Sequence, residues 1–208
     1  NLKNATISAE TETSAFKVMS YNVRLFDFYN WSHNKETRNK IFSLINDEVP
    51  DVLCVQEFFT EETKDFNTLD TILTFPKLKK YHVEYTATVE KKHHWGIATF
   101  TKFPIINKGK ILFSDTNTNN ICIYTDVKIN KDTVRIYNMH LQSIHFTAAD
   151  YEFVNEISGK PIDEESERIS KSIFKRLKKA FIIRAAQADK VAENIQECKY
   201  KIVLCGDF

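Results

Sequence analysis

Hydrophobic and polar positions divide the chain into three stretches. Phe16 to Val23 (FKVMSYNV) reads as a strand, and Asp51 to Glu57 (DVLCVQE) is a short, nearly continuous apolar run behind Pro50, the pattern of a strand buried on both faces. Between them Ile41, Leu44 and Ile45 recur at helical spacing and predict a helix capped by Ser32 or Asn34. Phe66, Leu69 and Leu73 predict a second helix within Glu61 to Phe75. From Tyr81 onward the segments are short and β-rich: Tyr81 to Val89, Trp95 to Thr101, Ile105 to Phe113, Ile121 to Ile129 and Thr133 to Leu141, a largely antiparallel meander. Asn130-Lys131-Asp132 predicts a tight hairpin loop within it. Helical periodicity returns from Thr147, most clearly over Glu164 to Glu197, where Ala185, Ala188, Ala192 and Ile195 fall on one face. Lys201 to Asp207 (KIVLCGD) is another buried-strand run. Residues 1–15 read as a polar leader and 16–208 as one domain, with a single soft point at Ser158 to Pro161.

This order of elements constrains chemistry. The first two strands are joined through a helix, and Thr133 to Leu141 reaches Lys201 to Asp207 through helices; such crossovers join parallel strands. The carboxyl ends of each pair therefore share a sheet edge, the place where ligands bind in α/β architectures. Asn22 and Glu57 stand at the ends of the first pair, His140 and Asp207 at the ends of the second. The two-residue period also puts Asn138 and His140 on one face of their strand. Singly each residue has an ordinary structural role, as turn former, helix-start carboxylate or core histidine; together they form a candidate site.

Composition narrows that site. Lys+Arg 29 against Asp+Glu 28 gives a net charge of +1, so the chain as a whole carries no electrostatic footprint for non-specific nucleic-acid binding. The closest of its four glycines, Gly96 and Gly109, lie 13 positions apart, which excludes both G-x-G-x-x-G and the P-loop. Cys54, Cys122, Cys198 and Cys205 show no paired spacing and read as free thiols, not as a zinc site or disulfide framework. No apolar run approaches a membrane span, and the polar start without Met looks trimmed, leaving the compartment open. A Glu, an Asp and an Asn amide oxygen are hard ligands suited to Mg²⁺ or Mn²⁺, with His140 able to donate to a phosphate oxygen or move a proton.

Five ordered segments carry a resemblance. Ser20-Tyr21-Asn22-Val23-Arg24, Val55-Gln56-Glu57, Gly96-Ile97-Ala98 with Thr101-Lys102-Phe103-Pro104-Ile105, Asn138-Met139-His140-Leu141, and Gly206-Asp207-Phe208 resemble the motifs of the endonuclease/exonuclease/phosphatase family, over Phe16 to the last residue. The resemblance implies an α+β fold, a four-layer αββα sandwich with two mixed β-sheets face to face and helices outside. It implies an enzyme, a Mg²⁺-dependent (or Mn²⁺-dependent) phosphoester hydrolase of the nuclease, phosphodiesterase and phosphatase class. In it Glu57 and Asn22 serve the metal, His140 contacts the scissile phosphate, Asp207 orients the attacking water, and Arg24 and Asn138 meet substrate phosphate. Members continue past the Gly-Asp-Phe motif with further strands and late Asp and His residues, so the chain is expected to be incomplete at its C-terminus. Nucleic acid, a lipid head group and a soluble phosphoester are all open as substrates. A membrane tether upstream of residue 1 and a monomeric state are further expectations. The alternative is a non-catalytic phosphate-binding or scaffolding domain of the same fold.

Three secondary features complete the reading. Arg168 to Arg184 sets Lys171, Lys175, Arg176, Lys178 and Lys179 against Ile169, Ile173, Leu177 and Phe181, a basic amphipathic pattern that suits a solvated face, phosphate-rich substrates or an anionic membrane. His93-His94 read as an exposed loop before Trp95. Phe26, Phe28, Tyr29 and Trp31 follow Asn22 and either pack in the core or line a substrate groove.

Overall fold

The computed structural model describes residues 15–63, 65–113, 119–143, 148–157 and 163–208. Most of the polar leader, Thr147 and the Ser158 to Pro161 soft point lie outside these. The chain divides into two compact units, residues 1–140 with 199–208, and residues 141–198.

The first unit holds two mixed four-stranded sheets, the α+β sandwich that the sequence resemblance implied. One sheet has the order β1 (Val18–Asn22), β2 (Val52–Glu61), β4 (His93–Thr101), β3 (Lys80–Val89). The other runs β5 (Ile105–Leu112), β6 (Ile121–Ile129), β7 (Asp132–His140), β8 (Lys201–Asp207). β1 pairs parallel with β2, and β7 with β8, as the crossovers require; every other pairing is antiparallel. The β-rich middle is thus two antiparallel pieces split between sheets, because the chain changes sheet after Thr101.

β2 explains why its apolar run is continuous. Val52 and Cys54 face the second sheet and pack with Val127, Val134, Ile136 and Cys205. Leu53 and Val55 face the opposite way, beneath Ile41 and Ile45 of α1 (Thr37–Glu48) and Ile72 of α2 (Thr68–Thr74). A strand apolar on both faces suits the middle of such a layered stack. At the end away from the candidate site, Asp51 closes the layer. It accepts from the Lys17 backbone N–H at 2.9 Å and lies 2.8 Å from the ammonium groups of both Lys77 and Lys102.

Several sequence expectations shift. Leu44 is exposed, and Phe42 joins Ile41 and Ile45 against the core instead. Ser32 and Asn34 do not cap α1: the Ser32 hydroxyl bonds Thr37 Oγ1 at 2.7 Å and Asn34 Oδ1 accepts from the Glu36 N–H at 3.0 Å within the preceding turn. The second helix is confined to α2, because β2 continues to Glu61 in pairing with His93, and Asn67 caps the helix by accepting from the Asp70 N–H. β8 is an edge strand, and Ile202 and Leu204 are exposed where burial on both faces was expected.

The second unit carries α3 (Ala148–Ile157) and α4 (Glu164–Glu197). α4 starts at Asp163, whose side chain accepts from the Ser166 N–H at 2.8 Å. Asp150 of α3 forms a two-pronged ion pair with Arg176 of α4, and Gln187 accepts from the Gln142 N–H at 2.9 Å. The buried stripe of α4 is Ile173, Ala180, Gln187 and Val191, while the expected alanine stripe, Ala185, Ala188 and Ala192, faces solvent. Among the described residues no helix is long and apolar enough to cross a membrane.

Candidate active site

Four strands deliver the predicted residues to one place. Asn22 ends β1, His140 ends β7 and Asp207 ends β8, and the register pairs His140 with Asp207 across β7 and β8. Glu57 arrives differently. The β2–β4 pairing shifts between Val55 and Phe58, and within this bulge Glu57 has φ 50. A bulge re-aims a side chain that regular pleating would direct elsewhere. Here the left-handed backbone turns the Glu57 carboxylate toward the strand ends. The strain is of the kind that persists where surrounding structure over-determines it: Phe58 and Phe59 on the following positions are fully buried.

Asn22 organises the acidic groups. Its Nδ2 donates to Glu57 Oε1 at 3.0 Å and to Asp207 Oδ2 at 2.8 Å, while its Oδ1 accepts from the Arg24 backbone N–H at 2.9 Å. Asn22 therefore presents its amide nitrogen, not its oxygen, to the carboxylates and serves as their spacer. His140 Nε2 stands 3.7 Å from Glu57 Oε1 and 3.8 Å from Asp207 Oδ2, and this buried nitrogen makes no hydrogen bond. Glu57, His140 and Asp207 each bring one potential metal ligand to within 4.8 Å of the others. Two carboxylates held close by one neutral amide repel each other, and a bound cation would relieve that repulsion. The oxygen-rich donor set with one imidazole fits Mg²⁺ or Mn²⁺, and the orphaned Nε2 marks a position made for a further partner.

Asn138 is not among these groups. It is fully buried two residues deeper, where Gln56 Nε2 donates to its Oδ1 at 2.6 Å and its own Nδ2 donates to the Ala98 carbonyl at 2.9 Å. These bonds tie the two sheets together directly beneath the site, and Gln56 also reaches Ser20 Oγ at 3.2 Å. The expected contact between Asn138 and substrate phosphate has no free atom to make it. Gln56, which sequence reasoning passed over as a motif neighbour of Glu57, is the residue that completes this tie. Its signal was a polar side chain inside a run buried on both faces.

The loop after Asn22 forms one flank. Arg24, Leu25, Phe26 and Asp27 all have positive φ, from 46 to 57, a conformation costing of order 1–2 kcal/mol per residue. Burial of Phe26 against Phe42 and Phe58, with ring centroids 5.1 and 6.2 Å away, offsets part of that cost. Phe28 packs on Phe59 at 4.1 Å, whereas Tyr29 and Trp31 stay exposed, with the Arg24 guanidinium 4.9 Å from the Trp31 ring centroid. Phe26 and Phe28 thus take the expected packing role, and Tyr29 and Trp31 do not. His93 and His94 belong to β4 and are not a loop: His93 Nδ1 lies 2.9 Å from Glu61 Oε2 beside Phe59 and Trp95. Two motif glycines are required by close approach. A Cβ at Gly96, opposite Phe58, would lie 2.1 Å from the Glu84 carbonyl oxygen, and one at Gly206 would lie 2.5 Å from that of Met139.

Residues 19–208 match the model of the endonuclease/exonuclease/phosphatase family. The human Nocturnin catalytic domain with bound sulfate anion aligns with 92% of this chain and 63% of its own, at 18% identity and TM-score 0.54. ANGEL2, a 2',3'-cyclic phosphatase, aligns over 61% of this chain and 40% of its own, at 23% identity and TM-score 0.45. An endonuclease/exonuclease/phosphatase from Beutenbergia cavernae DSM 12333 aligns over 62% and 38%, at 13% identity and TM-score 0.48. The chain spans less than two thirds of each of these structures. No curated protein matches it.

Proposed function

Because the chain belongs to the endonuclease/exonuclease/phosphatase family, we propose that it hydrolyses phosphoester bonds, phosphodiesters in particular, with the help of Mg²⁺ or Mn²⁺. The observation that carries this reading is the convergence of Glu57, His140 and Asp207 within 4.8 Å, with Asn22 bridging the two carboxylates. Glu57 would hold the ion, which supplies Lewis-acid polarisation of a phosphoryl oxygen. Asp207 would orient a water for in-line attack and take its proton as the new P–O bond forms and the ester P–O bond breaks, the leaving oxygen taking a proton from solvent to depart as the alcohol. His140 would donate from Nε2 to the phosphoryl oxygens as charge accumulates on them, a preorganised electrostatic role. Asn22 keeps the two carboxylates at fixed spacing. Arg24, exposed two residues further on, would contact substrate phosphate.

Asn138 and Gln56 act at one remove. By tying β2 to β7 they hold Glu57 and His140, each the next or next-but-one residue along its strand, in common register. The substrate spectrum is tested on a panel of aryl and nucleotide phosphodiesters beside the matching monoesters. Hydrolysis that requires Mg²⁺ or Mn²⁺, prefers the diester and disappears in Glu57→Ala is expected. A protein that binds phosphate yet hydrolyses none of the panel would instead be a phosphate-binding domain of this fold.

A further inference from the structure

In the second unit, α4 carries an unusual surface. From residue 168 to 188 the chain has seven Lys or Arg residues and no Asp or Glu, although the whole protein is nearly neutral. Four of the seven, Lys175, Lys178, Lys179 and Arg184, make no ion pair among the described residues. The same stretch exposes large apolar side chains. Phe174 is 67% exposed, Phe181 57% and Ile182 61%, all outside the buried stripe of Ile173, Ala180 and Gln187. With Leu177, Lys178 and Ala185 they line an open apolar groove of about 540 Å³. The sequence pattern groups Phe181 with Ile169, Ile173 and Leu177 on the apolar side of an amphipathic helix; in the structure Ile173 is buried and Phe181 exposed.

We propose that this face of α4 docks the protein on an anionic lipid bilayer. An interfacial helix is recognised by cationic residues around a stripe of large apolar side chains that enter the headgroup boundary. Phe174, Phe181 and Ile182 lie at i, i+7 and i+8, so they can enter one plane together, and Lys175, Lys178 and Lys179 flank them at headgroup level. Their long stems let the ammonium groups reach phosphates while the rings sink deeper. Charge complementarity selects the occupant. A second copy of this face would set the same uncompensated positive charge against itself. Nucleic acid would satisfy the lysines and stack a base on a ring but leave the aliphatic Ile182 without an apolar partner, whereas an acidic bilayer satisfies all of them. The inference is independent of the hydrolase reading, since it uses no residue of the strand-end site.

The test is sedimentation of the full chain with vesicles of phosphatidylcholine alone and with about one third phosphatidylglycerol. Binding to the acidic vesicles at least tenfold tighter than to neutral ones, weakening as salt rises, is expected. Lys175→Gln, Lys178→Gln and Lys179→Gln together should weaken binding roughly a hundredfold, at about fivefold per lysine. Phe174→Ser with Phe181→Ser should weaken it at least tenfold, on the order of the partition lost with two rings. Phe174→Trp should retain binding and report insertion by a vesicle-dependent blue-shifted emission that the wild type, with only Trp31 and Trp95, does not show, which keeps the test decisive where the serine variant misfolds. Equal binding to both vesicles, no binding, or wild-type binding by the folded serine variant would overturn the proposal. So would tighter capture of single-stranded RNA than of acidic vesicles, or a dimer through this face that vesicles fail to displace.

Discussion

Replacing Glu57 by glycine and by alanine separates what its backbone costs from what its carboxylate does. Both variants lose the carboxylate, its bond to Asn22 and its repulsion from Asp207, so these effects cancel when the two are compared. What differs is the conformation at φ 50. Alanine must occupy the left-handed region at a cost of about 1–2 kcal/mol. Glycine adopts it freely but gives up about 0.4–1 kcal/mol through its more flexible unfolded chain. The centres of these ranges leave Glu57→Gly more stable than Glu57→Ala by about 0.8 kcal/mol. Urea unfolding in the presence of chelator reads this directly: with a slope of about 2 kcal/mol per molar, the midpoints should differ by about 0.4 M. Neither variant should gain stability on adding Mn²⁺, whereas the wild type should, by mass action. An alanine variant as stable as the glycine one would refute the claim that strain on the bulge aims this side chain.

Other expectations follow from the same packing. Burial pushes the Asp51 carboxyl up, but bonds from Lys102 and Lys77 and from the Lys17 N–H outweigh it and hold its pKa at about 2, below the ordinary 3.8. A depressed carboxylate stabilises the fold above its unfolded pKa and loses that contribution as pH falls toward 2; the drop is worth about 2 kcal/mol. Asp51→Asn should therefore cost about 2 kcal/mol at pH 7 in a denaturation series whose gap closes near pH 2, and a gap of constant size would contradict the pairing. Asn138→Ala leaves Gln56 Nε2 without its short cross-sheet acceptor, and unfolding should become easier by about 2–3 kcal/mol; an unchanged melting temperature would show the tie to be incidental. Burial pushes the Cys122 thiol up to about 12, so it should resist a disulfide reagent at pH 8 until the protein unfolds, with the partly exposed Cys198 reacting first. Rapid native labelling of Cys122 would refute that burial.

How much the sequence disclosed follows from which interactions are local. Crossovers fix strand direction, so Asn22, Glu57, His140 and Asp207 could be brought to one edge before any coordinates were known. The two-residue period placed Asn138 and His140 on one face correctly, but period carries no depth. Only the opposite sheet, with Gln56 waiting 2.6 Å away, decides that Asn138 is a tie while His140 Nε2 is left without a hydrogen bond. The positive φ of Glu57 was hidden for a related reason. A bulge is set by pairing with β4, and nothing in Val55-Gln56-Glu57-Phe58 announces it. On α4 apolar residues occur on nearly every side between Ile169 and Ile183, so periodicity alone could not choose among stripes. Ile173, Ala180 and Gln187, seven apart, took the packed face through tertiary contact, and the larger rings were left outside.

The initial rate of phosphodiester hydrolysis as a function of Mn²⁺ concentration, in the wild type and in Glu57→Gln, tests the central claim most directly. Glu57→Gln keeps the side chain's length and an oxygen to accept from Asn22 while removing the charge. A wild-type rate that rises from zero and saturates with metal, against a Glu57→Gln rate lower by at least about 10²-fold at the same metal concentration, is the expected result. A wild-type rate that persists in chelator, or a Glu57→Gln curve that overlays the wild type, would contradict the assignment of Glu57, His140 and Asp207 as a metal-dependent hydrolytic centre.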